Sequence, residues 1–131
     1  KKYGDEAVSI TKAFVEQLGT KMGNNFKEKS GAKGSGIPDI ERVYRIWMDP
    51  ALAPYKLKTS AEGNKLSIIR ESPVMCPAMV VAKQMNLPLE IVCNTVALPM
   101  FKGVARGVNP NAKHSTVQMS EQKCIDRIEI P

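Results

Sequence analysis

A chain of 131 residues, 43% hydrophobic and 24% charged, is long enough to bury a core of its own, and it reads as a single domain over residues 1–131. No apolar run approaches the ~20 residues that cross a bilayer, because Leu87 to Val108, the most apolar stretch, is interrupted by Pro88, Pro99, Lys102 and Arg106. The net charge of +6 is densest from Lys21 to Lys33, around the glycines of Ser30-Gly31-Ala32-Lys33-Gly34-Ser35-Gly36, which match no phosphate loop and carry no aromatics for base stacking, so no specific nucleic-acid partner is expected.

The chain opens Lys1-Lys2-Tyr3 without an initiator methionine, so a segment ahead of it, with targeting content of its own, is compatible with the sequence. A long amphipathic helix follows from about Asp5 to Lys29. Its apolar stripe is Ala7, Ile10, Phe14, Leu18, Met22 and Phe26. Gly19 and Gly23 weaken that helix, and their spacing marks a close approach by another backbone. After the glycine-rich linker, Pro38 and Asp39 open a second helix with Ile40, Val43, Tyr44 and Trp47 inward, closed by Asp49-Pro50. Trp47, the only tryptophan, reads as core rather than as a cofactor platform.

Beyond Pro54 the period changes to two. Tyr55, Leu57 and Thr59 alternate with lysines, Glu62-Gly63-Asn64 turns, and Leu66, Ile68 and Arg70 alternate again. A helix introduced by Cys76-Pro77 carries Ala78, Val81, Ala82 and Met85 until Asn86 breaks it. Leu87-Pro88 starts another with Leu89, Val92, Cys93, Val96 and Met100 inward, disturbed at Pro99. Gly103 to Pro110 reads as a loop into a last hairpin, in which Val117 and Met119, then Cys124, Asp126, Ile128 and Ile130, alternate with polar or opposite-face residues. The order predicts an α+β fold, with helices on one face of an antiparallel sheet of about four strands built from two hairpins. Leu57, Leu66, Ile68, Val117 and Ile128 are expected to face the helices.

Chemistry is sought first at the thiols. Cys76 falls at a helix N-terminus, where unpaired N–H groups and the macrodipole favour thiolate; the alternative is a buried structural cysteine. The three cysteines, an odd and widely spaced set, suit a reduced, cytoplasmic protein rather than a disulfide framework. Cys76, Cys93 and Cys124 have no finger-like spacing, yet the short Asn86-Leu87-Pro88 turn would bring the first two together, with the last strand offering the third. Such a pocket would suit zinc or another thiophilic metal. His114, in Lys113-His114-Ser115, is expected to be an exposed loop residue.

The opening Tyr3-Gly4-Asp5-Glu6-Ala7, the Cys76-Pro77 helix start, Cys93 one helix later, Gly107-Val108-Asn109-Pro110 and the late Cys124 together resemble the L-2-amino-thiazoline-4-carboxylic acid hydrolase family. The layout is also similar to the wider 4-vinyl reductase and transport-particle-subunit group of ligand-binding domains. The resemblance implies helices over an antiparallel sheet and a ring-opening hydrolysis of a cyclic amidine thioether, with Cys76, Cys93 and Cys124 as candidate residues. Where an acidic group would be expected after the second cysteine, this chain has Asn94. Where an aromatic would be expected near the third, it has Ile125-Asp126-Arg127. The proton acceptor that water attack needs then falls to Glu90 or Asp126. Two expectations follow: a small-molecule hydrolase with Cys76 as nucleophile or metal ligand and Asp126 as its acidic partner, or a non-catalytic module binding a ligand, cofactor or metal. Self-association is left open by the sequence.

Overall fold

The computed structural model describes residues 2–51, 56–71, 77–120 and 123–131, without the side chains of residues 2, 3, 49–51, 56, 57 and 77–79. Helices α1 (Lys2–Ser30) and α2 (Ile37–Ala51) precede strands β1 (Lys56–Glu62) and β2 (Lys65–Glu71). Helix α3 (Pro77–Met85), the short α4 (Leu89–Val92), a π-helical turn (Cys93–Ala97) and α5 (Leu98–Val108) then lead into β3 (Lys113–Met119) and β4 (Lys123–Glu129). The two hairpins form one antiparallel sheet in the order β1-β2-β4-β3, as the period-two reading requires. No helix among the described residues is long and apolar enough to cross a membrane.

The core lies between this sheet and the helices. Leu66 and Ile68 of β2 and Ile128 of β4, none of them exposed to solvent, meet Ile40, Val43 and Tyr44 of α2 and Val104 and Ala105 of α5. Trp47 packs against the same cluster from the edge. The start of α2 is fixed locally, since the Asp39 carboxylate accepts the Gly36 N–H at 3.1 Å and satisfies one orphan donor of the first turn. The end of α3 is fixed the same way. Asn86 takes a φ of 54°, and Leu87 N–H bonds to Ala82 O at 2.8 Å in a Schellman closure.

Four glycines set the helix layer. A Cβ on Gly23 would lie 2.3 Å from Val104 O, and one on Gly103 or Gly107 would lie 2.3 Å from Glu16 O or Thr20 O. α1 and α5 therefore touch backbone to backbone, as the spacing of Gly19 and Gly23 predicts. That contact overrides the first part of the apolar stripe, while Met22 and Phe26 further along it pack against the core. Among the described side chains Val15, Gly19 and Gly23 are the buried positions of α1, whereas Ile10 (70%), Phe14 (64%) and Leu18 (41%) are exposed, because the glycine face is offset from the stripe around the helix.

Other expectations are corrected. Residues 103–108 are helix rather than loop, because the glycine contact offsets the ~1 kcal/mol that each glycine costs a helix interior. Pro99 is accommodated by the π turn, in which Leu98 N–H bonds to Cys93 O, and the residue this adds turns Val96 outward. In α3 only Ala82 of the described stripe is buried, with Val81 and Met85 exposed. Val117 faces solvent because a β-bulge leaves it without a partner: Thr116 pairs with Asp126 and Gln118 with Ile125. Cys76 and the side chain of Leu57 lie outside the described residues.

Candidate functional site

The inner face of the sheet carries two charges. In β2, Leu66, Ile68 and Arg70 share one side; in β4, Asp126 and Ile128 do. Ile68 is directly opposite Asp126 and Arg70 is opposite Cys124, so Arg70 is the diagonal neighbour of Asp126, within reach of a long side chain. From the other flank, Thr116 is opposite Asp126 and His114 opposite Ile128, which makes His114 the second diagonal neighbour. The antiparallel register thus converges a cation, a carboxylate and an imidazole under α5.

Their geometry is a continuous chain. Arg70 donates through one terminal nitrogen to Asp126 Oδ2 at 2.5 Å, and His114 Nε2 lies 2.8 Å from Asp126 Oδ1. Asp126 is wholly buried, and the side chains of Arg70 and His114 are 8% and 5% exposed. A carboxylate oxygen accepts, so in this hydrogen bond Nε2 carries the proton toward Asp126, and Nδ1 is the ring nitrogen turned away from it.

Aromatic rings wall the chain. The Arg70 guanidinium carbon sits 4.3 Å from the centroid of Phe101, on whose ring His114 also stacks at 6.0 Å between centroids. Tyr44 stacks on Phe101 and donates its hydroxyl to the Phe101 carbonyl. Burial pushes the Tyr44 phenol well above its ordinary range and the Asp126 carboxylate adds to this, while the Ala105 backbone and Arg70 pull the other way. Tyr44 is a neutral donor at physiological pH.

The chain connects two openings. On one side His114 lines a shallow basic depression of about 730 Å³, shared with Lys102, Arg106 and Lys113. Glu16 pairs with Arg106 at 3.0 Å and with Lys102 at 3.8 Å across its edge. On the other side Arg70 lines a small, mostly apolar cleft with Cys93, Cys124, Thr116 and Met119. Cys93 is buried on the π turn and Cys124 half-buried on β4. Two of the three cysteines expected to converge therefore do share a cleft. Cys76 lies outside the described residues.

Among the described residues no three Cys, His, Asp or Glu side chains are grouped as a metal would need. Cys93 and Cys124 make half of a tetrahedral set, and the Arg70 cation beside them opposes a second cation. Glu90 is exposed on α4. Asp126 is central, but it faces an imidazole and a guanidinium rather than one of the described thiols.

Sequence reasoning missed His114 and Arg70. The signal for Arg70 was present, since it continues the Leu66, Ile68 alternation; His114, expected as an exposed loop residue, instead lies in β3 with a buried side chain, and nothing local in the sequence marks it. Fold and site together define an α+β domain with a buried Arg-Asp-His chain between an apolar cleft and a basic depression. No family model matches the chain, and no curated protein does.

Proposed function

We propose that this domain is a small-molecule hydrolase resembling the thiazoline-ring-opening family, working in the cytoplasm on an anionic cyclic amidine. The observation that carries the reading is the His114–Asp126 hydrogen bond of 2.8 Å, held from behind by Arg70 and placed at the edge of a basic depression. In this reading Asp126 fixes the tautomer and ring plane of His114, as a positioning residue. His114 Nδ1 takes one proton from a water that attacks the amidine carbon, and the C=N electron pair moves onto the ring nitrogen. The tetrahedral intermediate then collapses to a urea carbonyl: the ring C–S bond breaks, the water's second proton passes to the ring nitrogen, and the proton held on His114 passes to the leaving sulfur. Lys102, Arg106 and Lys113 attract the substrate's negative charge. His114 thereby supplies the base that the chain lacks after Cys93.

The test is incubation of the full chain with L-2-amino-thiazoline-4-carboxylate, followed by mass spectrometry for a product heavier by one water. His114→Gln should lower kcat by about 10²–10⁴-fold. No product from the wild type, or equal turnover by the variant, would sink the reading.

The second reading, a ligand- or metal-binding module of the 4-vinyl reductase type, is favoured by the cleft over Cys93, Met119 and Cys124. Zinc or another thiophilic ion on Cys76, Cys93 and Cys124 is compatible with either reading, because Cys76 is a nucleophile or a metal ligand in the hydrolase. Turnover of the thiazoline substrate separates the two, and elemental analysis of protein purified without added metal tests for the ion.

A further inference from the structure

Helix α1 uses its glycine face against α5, and its outer face carries Ile10, Phe14 and Leu18, all exposed. Ile10 and Phe14 are among the most exposed large apolar side chains of the described residues. At a spacing of four these three positions form one continuous ridge, ~12 Å long. Apolar residues scattered singly on a surface are ordinary, whereas three in one ridge mark a contact surface. The ridge ends in opposite charges. Glu6 precedes Ile10 by one turn and Lys21 follows Leu18 by one turn, and both are exposed.

We propose that this ridge is a dimer interface, on which two copies of the chain pack α1 against α1 in antiparallel directions about a two-fold axis at Phe14. An isologous contact sets one patch against itself. The antiparallel direction places Phe14 on Phe14, Ile10 opposite Leu18 of the second copy, and Glu6 beside Lys21 of the second copy. Apolar groups then meet at the centre and opposite charges meet at both rims. A parallel pairing would set Glu6 on Glu6 and Lys21 on Lys21, so the charges select the antiparallel one. The available area agrees. The chain exposes 7778 Å², about 900 Å² more than the ~6,800 Å² of a folded monomer of 14.4 kDa. One partner in a standard interface buries about 800 Å². A lipid surface fits the ridge less well, because a helix lying on anionic headgroups carries basic residues along its polar flanks, whereas this ridge has an acid at one end and a base at the other.

The experiment is sedimentation velocity of the full chain over a range of concentrations, without lipid. A monomer–dimer equilibrium is expected, and Phe14→Glu should weaken it at least about tenfold, since an apolar centre cannot take two carboxylates. Lys21→Glu should weaken it less, and more at low salt than at high. Adding Glu6→Lys to Lys21→Glu should restore the dimer. The two positions lie about 22 Å apart along one helix, so they can meet only between copies. Met85→Glu, at an equally exposed apolar residue of α3, should leave the equilibrium unchanged. Phe14→Cys should give, on oxidation, a dimer linked through the two introduced thiols in a non-reducing peptide map. All the substituted side chains are exposed, so circular dichroism of each variant should match the parent. A monomer at every concentration, a dimer indifferent to Phe14→Glu, or a double charge reversal no tighter than Lys21→Glu alone would overturn the proposal. A monomer that sediments with phosphatidylserine vesicles, and no longer does so with Phe14→Glu, would assign the ridge to lipid instead.

Discussion

Asp126→Asn is the most informative perturbation, because it changes one carboxylate oxygen and leaves the shape alone. The position is wholly buried and its main partner, Arg70, is 7% exposed, so the buried-pair regime applies rather than the 0–1 kcal/mol of surface bridges. In the variant the amide NH2 must face either the Arg70 nitrogen, now 2.5 Å from Oδ2 and always a donor, or the His114 nitrogen, now 2.8 Å from Oδ1, which accepts it only after the ring changes tautomer. Arg70 keeps its charge and its contact with Phe101 but loses the neutralising partner. Removing one member of a buried pair costs about 3–5 kcal/mol. At ~2.1 cal/mol/K per residue, an unfolding entropy over 131 residues converts this to a fall in Tm of about 11–18 °C. Urea denaturation followed by circular dichroism should show a lower midpoint with an unchanged m-value. A loss below about 1 kcal/mol would mean that the carboxylate is solvated rather than buried between its two partners, and the site as described would be wrong.

Gly107→Ala should destabilise by about 1–3 kcal/mol, because its Cβ would meet Thr20 O at 2.3 Å; a gain in urea midpoint, as for an ordinary helical glycine, would refute the glycine crossing. Tyr44 gives the pH dependence: its folded-state pKa is raised above the ~10 of an unfolded tyrosine, chiefly by burial. Above about pH 10 the native state keeps a proton that the unfolded state has lost, so this contribution is fully present below pH 10 and is lost as pH rises through the raised value. Tyrosinate absorbance should show Tyr44 ionising only together with the loss of native ellipticity, and ionisation of all three tyrosines within an intact fold would contradict its burial.

The fold was readable where local pattern and packing agree. The two hairpins, the α2 stripe of Ile40, Val43 and Tyr44, the stop at Asn86 and the close approach at Gly19 and Gly23 all follow from periodicity or backbone freedom. The errors share one cause. A hydrophobic stripe records that a face is apolar but not which of two faces the tertiary contact takes, and in α1 the glycines win over Ile10, Phe14 and Leu18. A glycine at 103 reads as a break only until the matching glycine in α1 is known. Nor does single-strand alternation reveal a bulge, since the extra residue at Val117 is defined by the partner strand.

The site was legible in part and for a different reason. Asp126 was singled out as an acid in a strand, and its phase with Ile128 put it inward; its partners could be named only once the register joined three strands. A lone histidine at a strand start carries no local mark of burial. What marks it is the pairing requirement: an inward Asp126 at zero exposure must find a cation or donors, and an inward Arg70 must find an anion. The two inner-face charges imply one another, and His114 fills the acceptor oxygen that a single guanidinium nitrogen leaves over. By the same accounting, Arg70 Nε is the one buried side-chain donor among the described residues that the network leaves unmatched.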